Sequence, residues 1–234
     1  MSVSLLGAAA AATVTVEMVA DVVCPYCYIG LSRLNQALEE LAESAQAVEV
    51  LYTPFILRRH LPKEGVPKRE VFISQFGSEN GAEHIFAQVK ATAMNDGLCF
   101  DSTGQRAGNS EDAHRLLLWA TPPHRFALFE SMMKIYNCER GWLGDHETLL
   151  RAVQRVHGLD IDIARSVLAD PSAHAAELEA GLRRSEVLHV RGVPSFFVDG
   201  RPLGAGAPSA QMLRDAINMS CASNTALSST SDAI

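Results

Sequence analysis

Hydrophobic and polar positions alternate from Thr13 to Ala20 (TVTVEMVA), with Val14, Val16 and Met18 on one face and Thr15, Glu17 and Val19 on the other. That period of two predicts a strand. After a turn at Asp21 to Pro25 the period changes. Leu31, Leu34, Leu38 and Leu41 follow at helical spacing and form one stripe. Val48 to Thr53 then reads as a second strand, stopped by Pro54. Strand, helix and strand with short links predict a right-handed crossover and a parallel pair.

From about residue 58 to 190 the pattern is helical. Segments fall at roughly 68–77, 81–95, 110–120, 124–138, 146–157 and 172–190. Breakers such as Asn95-Asp96-Gly97, Thr121-Pro122-Pro123 and Asp170-Pro171 separate them, and Asn109 and Asp145 stand where N-caps belong. Strand patterning returns at Ser195 to Val198. Asp199-Gly200 fits a type I′ turn, with Arg201 to Gly204 as the return strand and a last helix from about Pro208 to Met219. The expected fold class is α/β: one sheet supplied by two distant pieces of chain, with an all-helical block inserted between them. The boundaries read as a flexible tail over 1–12, a first α/β part over 13–60, the helical insertion over 61–185, a second α/β part over 186–219 and a disordered tail over 220–234.

Composition narrows the function classes. Hydrophobic residues make up 47% of the 234-residue chain and charged residues 20%, enough for a core. The formal net charge is −7 with no basic stripe, which argues against a nucleic-acid partner. The longest apolar run, Leu5 to Ala12, is far short of the ~20 residues that span a bilayer, so no membrane partner is expected. Five cysteines form no disulfide framework and point to a cytoplasmic protein. Spacing gives no support for pairing Cys99 with Cys138, and Cys221 falls in the tail.

The sharpest chemical signal is Cys24-Pro25-Tyr26-Cys27, at the junction of strand and helix. Disulfide exchange needs two thiols within bridging reach, which a two-residue spacer on a first helical turn allows. It also needs a thiolate near neutral pH, and the unpaired N–H groups and positive dipole end of a helix N-terminus stabilise one. Cys24 is placed there, with Cys27 one turn further in. Pro25 suits the first turn because its missing N–H would be unpaired anyway. A zinc site would need two further ligands; there is no second CxxC and no clustered histidine, so no metal is expected. Gly192-Val193-Pro194, directly before a strand, reads in combination with CxxC as a cis-proline loop that offers the Val193 backbone to a bound peptide or thiol. Tyr26 beside Cys24 reads as a substrate- or solvent-facing contact. His114 reads as a helix-packing histidine, and Arg58-Arg59-His60 as a solvated loop.

VADVVCPYCYIG near the start and VRGVPSFFVDGRPLGAG near the end resemble the thioredoxin fold in its DsbA-like form, in which a helical domain interrupts the sheet. The Asp21 to Gly30 pattern, with NSEDAH at Asn109 to His114 and WLGDHETLLRAV at Trp142 to Val153, resembles more narrowly the FrnE-type dithiol-disulfide isomerases. The resemblance implies Cys24 as attacking cysteine, Cys27 as resolving cysteine and Pro194 as the cis-proline. It implies thiols and disulfides, protein or low-molecular-weight, as partners, and no tightly bound cofactor. The pattern is not complete. The acid often found six residues before the first cysteine is Met18 here, leaving Asp21 either to replace it or to shape the turn. The Pro-Tyr dipeptide is that of glutaredoxins, which keeps glutathione open as a co-substrate. Kappa-class glutathione transferases and hydroxychromene carboxylate isomerases share the interrupted architecture but normally carry serine, so they stand as the alternative. A redox-inactive peptide-binding module is a third reading, and an apolar patch on the insertion leaves a homodimer open.

Overall fold

β1 (Val14–Ala20) lies in the middle of a four-stranded sheet of order β2-β1-β5-β6. It pairs in parallel with β2 (Val48–Pro54), Val16 opposite Val50, and antiparallel with β5 (Ser195–Val198), Val16 opposite Val198. The crossover between β1 and β2 is α1 (Pro25–Leu41), whose Leu31, Leu34 and Leu41 are buried as the leucine stripe requires. Each such side chain taken fully out of water contributes about 1.5–3 kcal/mol. β5 turns back into β6 (Arg201–Ala205) through Asp199 and Gly200, both at positive φ (45° and 75°), the geometry of a type I′ turn. The computed structural model describes residues 13–42 and 47–231; the tail expected over 1–12 lies outside the described residues.

Between β2 and β5 run α2 (Lys68–Phe76), α3 (Glu79–Asn95), α4 (Glu111–Trp119), α5 (Pro122–Cys138), α6 (His146–Gln154), α7 (Ile161–Ala169) and α8 (Ala175–Val187). Two-residue strands β3 (Val66–Pro67) and β4 (Arg106–Ala107) pair beside them. One hydrophobic cluster joins Val16, Met18 and Phe196 of the sheet to Phe129, Met132, Leu149 and Leu168 of the helices. The helical block therefore shares its core with the sheet. α8 packs against β2, and from there its Arg184 reaches Glu17 of β1. That carboxylate is buried because Arg184 of α8 reaches it at 2.8 Å and the Thr53 hydroxyl donates to it at 2.6 Å.

Three expectations need correction. α7 falls between the helical segments expected at 146–157 and 172–190, where none was assigned; Asp160 starts it by accepting from the N–H groups of Asp162 and Ile163. The N-cap of α4 is Ser110, while Asn109 accepts from the N–H of Glu111 one position earlier. The tail expected to be disordered over 220–234 is helical as far as Ser231, since α9 runs Ala210–Ser231; residues 232–234 lie outside the described residues. No proline or glycine interrupts that segment, and Ser220 and Asn224 fasten it to Asp199 in the β5–β6 turn.

Candidate active site

Cys24 is the N-cap of α1, with extended backbone (φ −94°, ψ 114°) and Pro25 opening the helix. The turn feeding it closes by a hydrogen bond from the Cys24 N–H to the Asp21 carbonyl at 3.1 Å, and the Cys27 N–H donates to the Cys24 carbonyl at 3.0 Å. Both cysteines are thiols, Cys24 6% exposed and Cys27 fully buried. The Cys24 thiol donates to the Val193 carbonyl at 3.4 Å, and the Val193–Pro194 peptide is cis. Two pieces of chain 169 residues apart thus meet at one sulfur. Gly30 permits the approach: a Cβ there would stand 3.1 Å from Pro194 Cγ and from the Phe196 ring.

The two thiols have opposite electrostatics. Hydrogen bonding from the Cys27 thiol pulls the Cys24 pKa below the ordinary value against the cost of burial; the N–H groups of Cys27 and Tyr26 help and the Asp21 charge opposes. Burial, reinforced by the neighbouring Cys24, pushes the Cys27 thiol well up. The more acidic thiol therefore stands at the helix start and the less acidic one a turn behind it.

Asp21 is completely buried and fully engaged. Its carboxylate accepts from the N–H of Val23 at 3.3 Å, the N–H of Leu57 at 2.8 Å and the Ser110 hydroxyl at 2.9 Å. His114 Nε2 lies 3.3 Å away, and its Nδ1 is 2.5 Å from the Tyr52 hydroxyl. With the proton on Nε2, His114 donates to Asp21 and accepts from Tyr52. His114 is buried as expected of a packing histidine, but it also ties α4 to the turn before Cys24. Asp21 shapes that turn by gathering β1, the segment after β2, and α4.

Tyr26 is half-buried, packed against the main core and against a smaller cluster of Ile29, Val89, Ala93 and Phe100, so solvent is not its principal neighbour. Arg58 is not simply solvated, since its guanidinium lies 5.3 Å from the Phe72 ring centroid. Arg59 pairs with Glu111 and Glu179. Sequence reasoning passed over Lys68. Its ammonium is buried, hydrogen-bonded to Gln105 Oε1 at 2.7 Å and set 4.8 Å from the centre of the Tyr136 ring. Burial lowers its pKa to about 7, with Cys24 and Asp21 acting in the opposite sense. A lysine at a helix start carries no signal of such a site. Sequence also dismissed the pairing of Cys99 with Cys138, which are joined in a disulfide with Cα atoms 5.6 Å apart.

No group of histidines, cysteines and carboxylates able to hold a metal occurs among the described residues, and none of their helices is long and apolar enough to cross a membrane. A profile of the DSBA-like thioredoxin domain matches residues 15–218. A probable DsbA oxidoreductase from Streptomyces coelicolor is 30% identical, with a TM-score of 0.79 over 88% of this chain and 89% of that one. Two further structures share the fold. The cytosolic disulfide reductase DsbM from Pseudomonas aeruginosa, solved with GSH, is 16% identical with a TM-score of 0.58 over 91% of this chain and 98% of that one. A 2-hydroxychromene-2-carboxylate isomerase is 14% identical with a TM-score of 0.65 over 91% and 98%. No curated protein matches the chain.

Proposed function

The chain belongs to the DSBA-like thioredoxin-domain family, and from that premise we propose that it is a thiol–disulfide oxidoreductase working through Cys24 and Cys27. The observation that carries this reading is geometric: two free cysteines at the start of α1, Cys24 at its N-cap and in contact with the cis Val193–Pro194 loop, Cys27 fully buried behind it. Cys24 thiolate attacks one sulfur of a substrate disulfide, forming a mixed disulfide and releasing the other sulfur as thiolate. Cys27 gives up its proton and attacks the Cys24 sulfur. The second substrate thiolate leaves, and the protein holds a Cys24–Cys27 disulfide. Two electrons have passed to the substrate; oxidation of a substrate dithiol is the reverse.

Substrate is held by the Val193–Pro194 loop, whose Val193 carbonyl already engages Cys24. A groove of about 380 Å³ runs beside it, lined by His189, Arg191, Val193, Phe197 and Pro202. Pro25 and Tyr26, between the two cysteines, belong to the same proposal as substrate contacts. Glutathione belongs to the same proposal as co-substrate, and the cytoplasm as compartment. The transferase or isomerase alternative needs a serine where this chain has Cys24, which weighs against it.

The test is the reduction potential of the Cys24/Cys27 pair, read by quenching with an alkylating reagent in graded glutathione buffers and quantifying the 24–27 peptide by mass spectrometry. A two-electron transition between about −120 and −270 mV is expected. A pair that stays as thiols throughout that range overturns the dithiol mechanism. Cys27→Ser should accumulate mixed disulfides on Cys24, because the resolving step is lost.

A further inference from the structure

Cys99 lies in the connection between α3 and β4, and Cys138 is the last residue of α5. Cys99 is an exposed residue and Cys138 a half-buried one, so Cys138 is the more sheltered half of this disulfide. The sheltered one has a specific neighbour: the Tyr28 hydroxyl stands 4.0 Å from Cys138 Sγ, on the residue that follows Cys27 in α1. A disulfide sulfur only accepts, so Tyr28 donates. Burial, with Glu130 adding to it, raises the Tyr28 pKa, which keeps that proton on the oxygen. Tyr28 and Leu98, the residue before Cys99, also form one end of a groove of about 260 Å³ between α1 and α5. Apart from Leu31 the rest of its lining is polar, with Ser32, Asn35, Glu39 and Glu130 in its walls and no basic residue.

We propose that Cys99–Cys138 is a second thiol-exchange site, reduced by an uncharged or cationic low-molecular-weight thiol that enters along the α1–α5 groove. The incoming thiolate attacks Cys99 Sγ, forms a mixed disulfide there, and expels Cys138 as a thiolate. Expulsion at the C-terminus of α5 is opposed by the negative end of the helix dipole. The Tyr28 hydroxyl offsets this by hydrogen-bonding the departing sulfur. A second molecule of thiol then attacks the mixed disulfide at its own sulfur. Cys99 and Cys138 end as two thiols, and two molecules of the small thiol as one disulfide. The carboxylates of Glu39 and Glu130 favour an amine-bearing thiol over an anionic one such as glutathione.

The exchange does not depend on the Cys24 pair, so it is tested in protein carrying Cys24→Ser and Cys27→Ser. A failure here then leaves the proposed function untouched, and the reverse also holds. Folded protein is exposed to cysteamine or to glutathione at matched thiolate concentration, quenched by alkylation, and the peptides holding Cys99 and Cys138 are quantified while circular dichroism monitors the fold. The expected result is reduction in the folded state, faster with cysteamine. Tyr28→Phe should slow it by about fivefold, the effect of one hydrogen bond of about 1 kcal/mol. Glu130→Gln, an exposed change that spares the fold, should cut the preference for cysteamine by about threefold. Cys138→Ala exposed to cystamine should carry a mixed disulfide on Cys99. Reduction only after unfolding, glutathione outpacing cysteamine, or rates indifferent to both Tyr28→Phe and Glu130→Gln would each overturn the proposal.

Discussion

Cys24 and Cys27 sit at the start of α1, three residues apart, buried, and held as thiols beside the Val193–Pro194 loop. Cys99 and Cys138 are 39 residues apart, joined, and partly open to solvent at the last turn of α5. The helix end explains much of the difference. At an N-terminus, N–H groups and the dipole favour a thiolate; at a C-terminus, carbonyls disfavour one and leave the disulfide the better state. Loop length explains the rest. Closing two residues of helix adds little constraint to the unfolded chain, whereas a link across 39 residues removes much of its freedom. One pair is therefore suited to repeated turnover; the other, while joined, holds the 98–101 segment against α5, where the Asp101 N–H also donates to the Asn137 carbonyl at 2.7 Å, and opens only when an external thiol reduces it.

The sharpest break in this contrast is Cys24→Ser. A serine hydroxyl is a far weaker acid and nucleophile than a cysteine thiol and cannot form the mixed disulfide, so disulfide-exchange turnover should fall by about a thousandfold or more, measured with a small disulfide substrate. The same variant carries a pH signature in the reduced protein. Because the Cys24 pKa is lowered on folding, its thiolate contributes stability above the unfolded thiol value near 8.5 and loses it as pH falls through the folded value. The stability difference between reduced wild type and Cys24→Ser should thus grow as pH is raised from acid. A difference independent of pH would mean that folding does not lower the Cys24 pKa.

The second pair makes the complementary case. Replacing Cys99 and Cys138 together by alanine should cost about 3–4 kcal/mol of stability in urea unfolding, mostly through the freer unfolded chain. The pH midpoint of Cys24 alkylation should stay where it is. A moved midpoint with little loss of stability would invert the roles assigned to the two pairs.

The active-site half of this comparison was largely legible in the sequence and the other half was not. β1, the leucine stripe of α1, the Cys24-Pro25-Tyr26-Cys27 turn and the Asp199-Gly200 hairpin are local patterns in which neighbours in sequence are neighbours in space. Val193-Pro194 could be placed because it immediately precedes a recognisable strand. Cys99 and Cys138 obey no local rule; what brings them together is the packing of the α3–β4 connection onto the end of α5. The partners of Asp21 are equally remote, with Leu57, Ser110 and His114 lying 36, 89 and 93 residues away. Periodicity assigns such residues to helix or loop and says nothing about which buried carboxylate they meet.

Asp21 tests whether the active-site turn depends on geometry or on charge. Asp21→Asn keeps one acceptor oxygen but places an amide donor among N–H groups, which should cost about 1–3 kcal/mol. It also removes the charge that raises both thiols, so the Cys24 alkylation midpoint should move to lower pH. An upward move would mean that Asp21 acts on the thiol mainly by holding the turn.

The smallest expected effect is that of Gly30→Ala, and it separates packing from chemistry at the same site. Alanine gains about 1 kcal/mol over glycine in a helix interior. Its methyl would meet Pro194 Cγ and the Phe196 ring at 3.1 Å, a crowding that typically costs about 1–3 kcal/mol when neighbours must shift. The two nearly cancel, so unfolding should show a net loss of about 1 kcal/mol or less. Relief comes by moving the Val193–Pro194 loop outward, since Phe196 is locked in the sheet opposite Met18. The 3.4 Å contact between Cys24 Sγ and the Val193 carbonyl then lengthens while the helix N-terminus is untouched. Turnover on a peptide disulfide should consequently drop by a few-fold, with the alkylation midpoint of Cys24 unchanged. Loss of both together would show that the loop, and not the helix end, sets the reactivity of Cys24.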